Sequence, residues 1–387
     1  MGIIKLINST LRLEPVFRKR RLAQVNSSGK HARKHDNPPG NAWDRFVKNI
    51  ICLSFIGALS SAVSNAGINS AAFLNAGVGA RALGMGGAFT AIADDSSAPC
   101  WNPAGLGNMK KISIGSMIQQ TGSFEHETLE DVTPRYNFFN LILPFSKIMV
   151  PDKGVVSVSI INTSLDKIPY TCLSSEGHVV RREVADSENA FIVSYGRKML
   201  IDGLSLGAGL RYVTQSISDI PDGSASGQGV ELGAYYIMDE KFRFGFVTQT
   251  GIAMKWDNGH TDYGSMRNRA GVSYNAYDSG AISVLTSVDL LQAQKRPLEA
   301  HCGSELAVNI ENDETNVSLS KLKLRAGVDG IAIEDRYHMQ GRINENIKLT
   351  AGLGLDMRIA VSKVSLDYAI GSTSLGDRHR ISFSLYF

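Results

Sequence analysis

The chain of 387 residues holds only four cysteines, Cys52, Cys100, Cys172 and Cys302. They lie far apart, with no Cys-x-x-Cys and no zinc spacing. Neither a disulfide framework nor a metal site follows from them, although one pair could bridge in an oxidising compartment. The eight histidines are scattered and include no His-Glu-x-x-His. His126, His178, His260 and His301 fall between strand-like segments, where solvated surface is the default reading. No G-x-G-x-x-G follows a strand, and no Lys-Ser/Thr closes a Walker A pattern. The nearest mimic, Gly371 to Gly376, runs into Asp377. No cofactor is therefore expected.

A long apolar run is missing too. Mean hydropathy is near zero. That excludes a bundle of membrane helices but not a barrel, whose strands alternate apolar and polar positions. The apolar stretch Ile50 to Val63 is too short for a comfortable spanning helix. Lys48 precedes it and Ser64-Asn65-Ala66 follows, as in a secretory signal cleaved after Ala66 or Ser64. A buried core helix is the alternative. Cys52 sits too early in the apolar core to make a lipoprotein cleavage site. Residues 1–46 are polar, basic and patternless. Initiation at Val47 through a GUG codon would give an ordinary signal start, and peptides from residues 1–46 in cell extracts would refute it. Residues 1–66 are therefore set apart from the fold.

Net charge is small, +3, and misleading. Residues 1–66 hold 11 of the 40 Lys and Arg and three of the 37 Asp and Glu. The remainder carries 29 basic against 34 acidic residues, a net −5. The basic run Arg18-Lys19-Arg20-Arg21 therefore says nothing of nucleic-acid binding by the folded part, and none is expected.

What the chain has in abundance is glycine, 38 residues, and period-two alternation. Leu204, Leu206, Ala208, Leu210 and Tyr212 share one strand face, with Ser205, Gly207, Gly209 and Arg211 on the other. A face of small polar residues and Arg suits a wet or filled lumen, with the aliphatic face towards lipid. The same division recurs along the chain. It puts Arg211, Glu231, Lys323, Arg325, Asp329, Lys348, Asp356 and Asp367 inside, where they pair with one another or with a plug; a selectivity role is the alternative. Charges belong inside because the lipid face penalises them by about 2–4 kcal/mol at mid-depth.

About 14 strands are expected, near 111–119, 136–144, 154–163, 189–197, 203–217, 228–237, 242–251, 266–275, 281–290, 303–310, 321–330, 346–357, 361–370 and 378–387. Long connections near 120–135, 164–188, 218–227, 252–265, 291–302 and 331–345 mostly alternate with short ones. Outer-membrane barrels show this alternation, with short periplasmic turns and long external loops. A soluble β-sandwich has no reason to. The last strand puts Ile381, Phe383, Leu385 and Phe387 on one face and ends the chain on Phe. That pattern resembles the signal read by the bacterial barrel-assembly machinery. The pattern predicts an all-β fold: a transmembrane antiparallel β-barrel of about 14 strands with an N-terminal plug. Its parts are an extension with signal (1–66), a Gly/Ala-rich plug (67–110) and the barrel (111–387).

The stretch from Asn75 to Gly107 fits neither a strand nor a long amphipathic helix. Its Gly and Ala content lets its backbone approach other structure closely. The run Gly79-Ala80-Arg81, Gly84-Met85-Gly86-Gly87-Ala88, Ala93-Asp94-Asp95 and Trp101-Asn102-Pro103-Ala104-Gly105-Leu106 resembles the N-terminal signature of the PorV/PorQ family. That family is related to the FadL-type outer-membrane transporters, and Asn-Pro-Ala-Gly recurs in both. Cys100 stands where the family usually carries an aromatic. The resemblance implies a plugged barrel in the bacterial outer membrane, surrounded by lipid. Its plug motif would comprise Arg81, Gly84, Gly86, Gly87, Asp94, Asp95, Trp101, Asn102, Pro103 and Gly105. Asp94 and Asp95 read as a helix cap or as acceptors for backbone donors at a bend, with cation binding as the alternative. Two functions are implied: a FadL-like conduit for hydrophobic small molecules, or a PorV-like dock for an exported protein in type IX secretion. A structural barrel is a third. No enzyme is expected. Gly203-Leu204-Ser205-Leu206-Gly207 matches G-x-S-x-G, but a nucleophile elbow needs a turn there and the alternation predicts a strand.

Overall fold

The computed structural model describes residues 70–121, 134–148, 154–173, 178–294, 296–310, 317–333, 348–372 and 377–387. The expected extension and signal (1–66) and His126 lie outside them. Sixteen strands form one sheet. They are β1 (Ser113–Thr121), β2 (Arg135–Pro144), β3 (Val155–Leu173), β4 (Val179–Lys198), β5 (Leu204–Ile217), β6 (Ser224–Ile237), β7 (Phe242–Gln249) and β8 (Ala253–Trp256). Then come β9 (Thr261–Tyr263), β10 (Arg267–Asp278), β11 (Ile282–Ala293), β12 (Glu299–Asn309), β13 (Val317–Ala332), β14 (Lys348–Ile359), β15 (Ser362–Gly371) and β16 (Arg378–Tyr386). β8 and β9 make a small hairpin that joins the sheet only at β6, through Ala225↔Trp256 and Ser226↔Lys255. The other fourteen run antiparallel, and the pairings β1–β16 and β5–β6 complete the ring.

Closure follows from the alternation. On β5, Leu210 is 65% exposed and its neighbour Arg211 is 7% exposed. Outward aliphatic and aromatic side chains recur around the ring, among them Leu232, Leu324, Leu349, Leu353 and Phe383. The strands of nine residues or more are long enough to cross a bilayer core, since a tilted spanning strand needs about 9–11 residues. The first residue of β1 pairs with the last of β16, Ser113↔Tyr386, and marks one rim, the near rim. The turns at Met199–Gly203, Met238–Lys241 and Ser279–Ala281 lie at this rim. The connections from β5 to β6 and from β7 to β10 lie at the opposite, far rim.

Three expected loops differ. Residues 164–188 were expected as a long connection, but β3 and β4 continue to Leu173 and from Val179 as a two-stranded ribbon. Among the described residues, β2 pairs only to Ser164 and β5 only to Asp186, with Ser218 reaching Ala185, so the ribbon beyond has no outer neighbour. Residues 252–265 contain the β8–β9 hairpin, which folds Ile252 and Met254 inward. The 291–302 connection shrinks to the few residues between β11 and β12. His301 is therefore not surface. It lies at a bulge between Ala300 and Cys302 on β12 and is 4% exposed, facing Gly86 and Asp329. Cys100, Cys172 and Cys302 are free thiols.

Candidate functional site

Residues 70–111 run inside the ring from the far rim to the near rim. They form a 3-10 turn at Ala72–Ala76, one-turn helices at Ala80–Gly84 and Ala98–Trp101, and a second 3-10 turn at Pro103–Asn108. The segment is a backbone object: most of Ala80–Leu106 is buried. It touches strands all round the ring. Ala80 N donates to Ser382 Oγ on β16 (2.7 Å), Ser96 and Ser384 share a hydrogen bond (2.6 Å), and Ser273 Oγ on β10 donates to Ala91 O (3.0 Å).

Inward glycines make room for this. A Cβ on Gly207 of β5 would lie 2.3 Å from the Pro103 carbonyl carbon. Gly86 has two constraints at once: φ is +63°, and a Cβ would lie 2.5 Å from the carbonyl oxygens of Cys302 and Val328. A positive φ and a close approach both select glycine.

Asn102 explains the Asn-Pro-Ala-Gly motif. Its side chain is wholly buried. The amide donates to Thr90 O (3.1 Å) and to Ala234 O on β6 (3.0 Å), while its oxygen caps the following turn by accepting from Ala104 N (3.0 Å). Pro103 occupies the first position of that turn, where no N–H is missed. Gly105 backs onto Ala93, whose oxygen would lie 2.3 Å from a Cβ. Trp101 donates from its ring N–H to Val78 O (2.8 Å), meets Phe89 edge-on, and lies under the Arg269 guanidinium. Asn102→Ala leaves two buried carbonyls short of a donor, and each such loss costs about 1–3 kcal/mol. We expect residues 85–110 to exchange amide hydrogens at least tenfold faster in that variant, because 1.4 kcal/mol is about a factor of ten. Unchanged exchange would refute the clamp.

Charge holds the segment to one side of the wall. Arg81 meets Glu305 of β12 with two nitrogens, Nε to Oε2 at 2.7 Å and Nη2 to Oε1 at 2.9 Å. It also pairs with Asp94, and Asp95 lies at 3.8 Å. Burial opposes its charge, but Asp94, Glu305 and Asp95 together hold the Arg81 guanidinium well above its ordinary pKa. Asp94 also faces Arg243 (3.5 Å), while Asp95 accepts from Ser97 N (2.8 Å), a backbone donor at the bend before the next helix, and does not cap that helix. Behind Glu305 stands Arg325 (2.6 Å), which reaches Asp367 (2.8 Å). Lys323 and Lys363 share Asp356 (2.8 and 2.9 Å). Asp329 takes His301 (3.0 Å) and Arg378 (3.2 Å), and Lys348 stands opposite it on β14. Arg211 donates to Thr250 O (2.8 Å), and Glu231 accepts from Gln249 (3.0 Å).

The alternation puts two further acids inside that the sequence reading did not single out. One is Glu305. The other is Asp289 of β11, fully buried, which accepts from the backbone N–H of Phe89 (3.1 Å) and Thr90 (3.0 Å). Inward register in a strand was the available signal for both.

The opposite side of the lumen is apolar towards the far rim. Met117, Tyr136, Phe138, Ile161, Ile192 and Val213 point inward from β1–β5 and pack with Ala225, Ile252 and Met254. The start of the inner segment fills the space between them with Phe73 and Leu74. Ser205 lies within β5, buried beside the Asn108 amide (3.4 Å), so there is no elbow and no adjacent base. Phe383 on the last strand and Phe387 just after it are exposed, with Leu385 half-buried.

No protein-family model matches the chain, and no curated protein sequence does. Solved structures do. The toluene transporter TodX of Pseudomonas putida superposes with a TM-score of 0.50 at 12% identity, covering 83% of this chain and 99% of its own. A TodX monoaromatic hydrocarbon channel carrying the deltaS2S3 mutation gives a TM-score of 0.53 at 12% identity, covering 80% and 98%. Both are a transporter or channel, neither an enzyme. At this identity the likeness establishes architecture: the chain shares with TodX the fold of a closed, 14-stranded antiparallel β-barrel.

Proposed function

We propose that the protein is a bacterial outer-membrane conduit that binds hydrophobic small molecules and lets them cross passively, with residues 67–110 as its plug. The observation that carries this reading is the apolar, inward-facing cluster between the far rim and Trp101. A lumen meant for ions or sugars has no use for Met117, Phe138, Ile161, Ile192 and Val213 on adjacent strands. Pockets for small apolar ligands are built of such side chains. A ligand entering there displaces Phe73 and Leu74, and no energy source or catalytic group is needed. The description of TodX as a toluene transporter supports the same class of cargo. Insertion would use the terminal strand with Phe383, Leu385 and Phe387, read by the assembly machinery.

The test is toluene uptake by bacterial cells that produce the protein. Uptake should exceed that of cells without it and fall to background with Ile192→Asp, which sets a charge in the apolar cluster. Heat-modifiable migration on gels confirms that the variant barrel has folded. Uptake equal to background with folded wild-type protein refutes the conduit.

The β3–β4 ribbon favours a second reading. Between Asp166 and Val184 neither of its edges pairs with another described strand, and such edges are the kind of template that accepts another strand. A PorV-like dock for an exported protein in type IX secretion would use such an ordered outer surface. Retention of a protein partner in mild detergent, lost on deleting residues 166–184, would support it.

A further inference from the structure

At the near rim, where the inner segment leaves the lumen and turns into β1, lies a cavity of about 210 Å³. It is separate from the apolar cluster, which lies towards the other rim. Four properties of its lining define what fits.

First, Lys110 and Lys111 line it and are exposed, with no hydrogen bond or ion pair among the described residues. Second, Asp94 lines it too, but that carboxylate is already held by Arg81 and Arg243. The two ammonium groups are therefore the charges left for a ligand. Third, Ser113 is 1% exposed and its hydroxyl has no partner, although buried polar groups are normally hydrogen-bonded. Fourth, the rest of the wall includes apolar surface from Met109 and the ring of Tyr386.

We propose that this cavity binds a small monocarboxylate with a compact apolar body. The carboxylate lies against Lys110 and Lys111 and accepts a hydrogen bond from Ser113 Oγ, while the body rests on Met109 and Tyr386. A neutral molecule of the same shape leaves the two ammonium groups unused. Binding stands on this geometry alone. Its role as an exit site, giving the passage a preference for acids, rests on the conduit reading.

The experiment titrates purified, folded barrel in detergent with benzoate and, separately, with neutral benzamide, by calorimetry. Hydrogen bonds to charged groups are worth enough that benzoate should bind about tenfold more tightly than benzamide. Lys110→Gln with Lys111→Gln should abolish that preference, and Ser113→Ala should weaken benzoate about fivefold, as loss of one hydrogen bond does. The lysines are exposed, so the double variant keeps its fold. Absence of saturable benzoate binding, equal affinity for both probes, or a preference that survives the double variant would each overturn the proposal. Toluene uptake by the same double variant reports on the conduit separately: a failed conduit leaves the benzoate result standing, and the reverse.

Discussion

Replacing Glu305 with Ala should be the most damaging single change to the stability of the filled barrel. Its carboxylate lies between two guanidinium groups, accepting from Arg81 at 2.7 and 2.9 Å and from Arg325 at 2.6 Å. Glu305 is 6% exposed and Arg325 4%. Removing one partner of a buried ion pair costs about 3–5 kcal/mol, because the remaining charge stays buried without compensation. Here two like charges remain. Arg81 retains Asp94 and Arg325 retains Asp367, which sets the loss near the lower end of that range. Denaturant unfolding in detergent measures it. The double variant Arg81→Ala with Glu305→Ala should recover part of the loss, since one stranded charge goes with its partner. Contacting pairs show coupling of about 0.5–3 kcal/mol in such cycles. A loss below about 1 kcal/mol for Glu305→Ala, within the range of an ordinary surface change, would show that the cluster does not hold the segment.

The second large effect is expected from Gly207→Val. The new side chain would enter the space of the Pro103 carbonyl and the Ala104 nitrogen, which lie 2.3 and 2.4 Å from the Cβ position. Backbone is poorly able to yield, and overpacking costs about 1–3 kcal/mol. The cost falls on the seated state alone. At 1.4 kcal/mol per factor of ten, the unseated fraction rises about five- to 150-fold. In planar bilayers the wild-type barrel should hold current near baseline, and the variant should show frequent openings through a lumen lined by polar strands. Ala208→Val, on the outward face of the same strand, is the control and should stay closed. Closed traces from Gly207→Val would refute the tight seat.

Gly207 also shows what could be read from sequence. It and Arg211 declared their inward face because each lies between apolar neighbours, and lipid outside against lumen inside makes that contrast sharp. Fourteen strands were legible for this reason. The ribbon of residues 164–188 was not. Above the bilayer neither face meets lipid, so Lys167, Pro169 and Arg181-Arg182-Glu183 read as loop. His301 was lost to a bulge, which breaks the period that would have placed it inside. The inner segment has no period at all. Its composition announced close packing, but its partners, Glu305, Asp289 and Ser382, lie some 200 to 300 residues away, where no local pattern can point to them.

That separation sets an order of events during synthesis. Ala80 donates to Ser382 across 302 residues of chain, and Ser96 meets Ser384 across 288. Contacts so distant in sequence form late, because loop closure must come first. The inner segment therefore waits for the last strand before it can settle. Until β16 arrives, the Asn102 and Arg81 contacts can form only with part of the ring. Completion of the wall and seating of its contents thus become one step, and a chain cut short of its final strand would have neither.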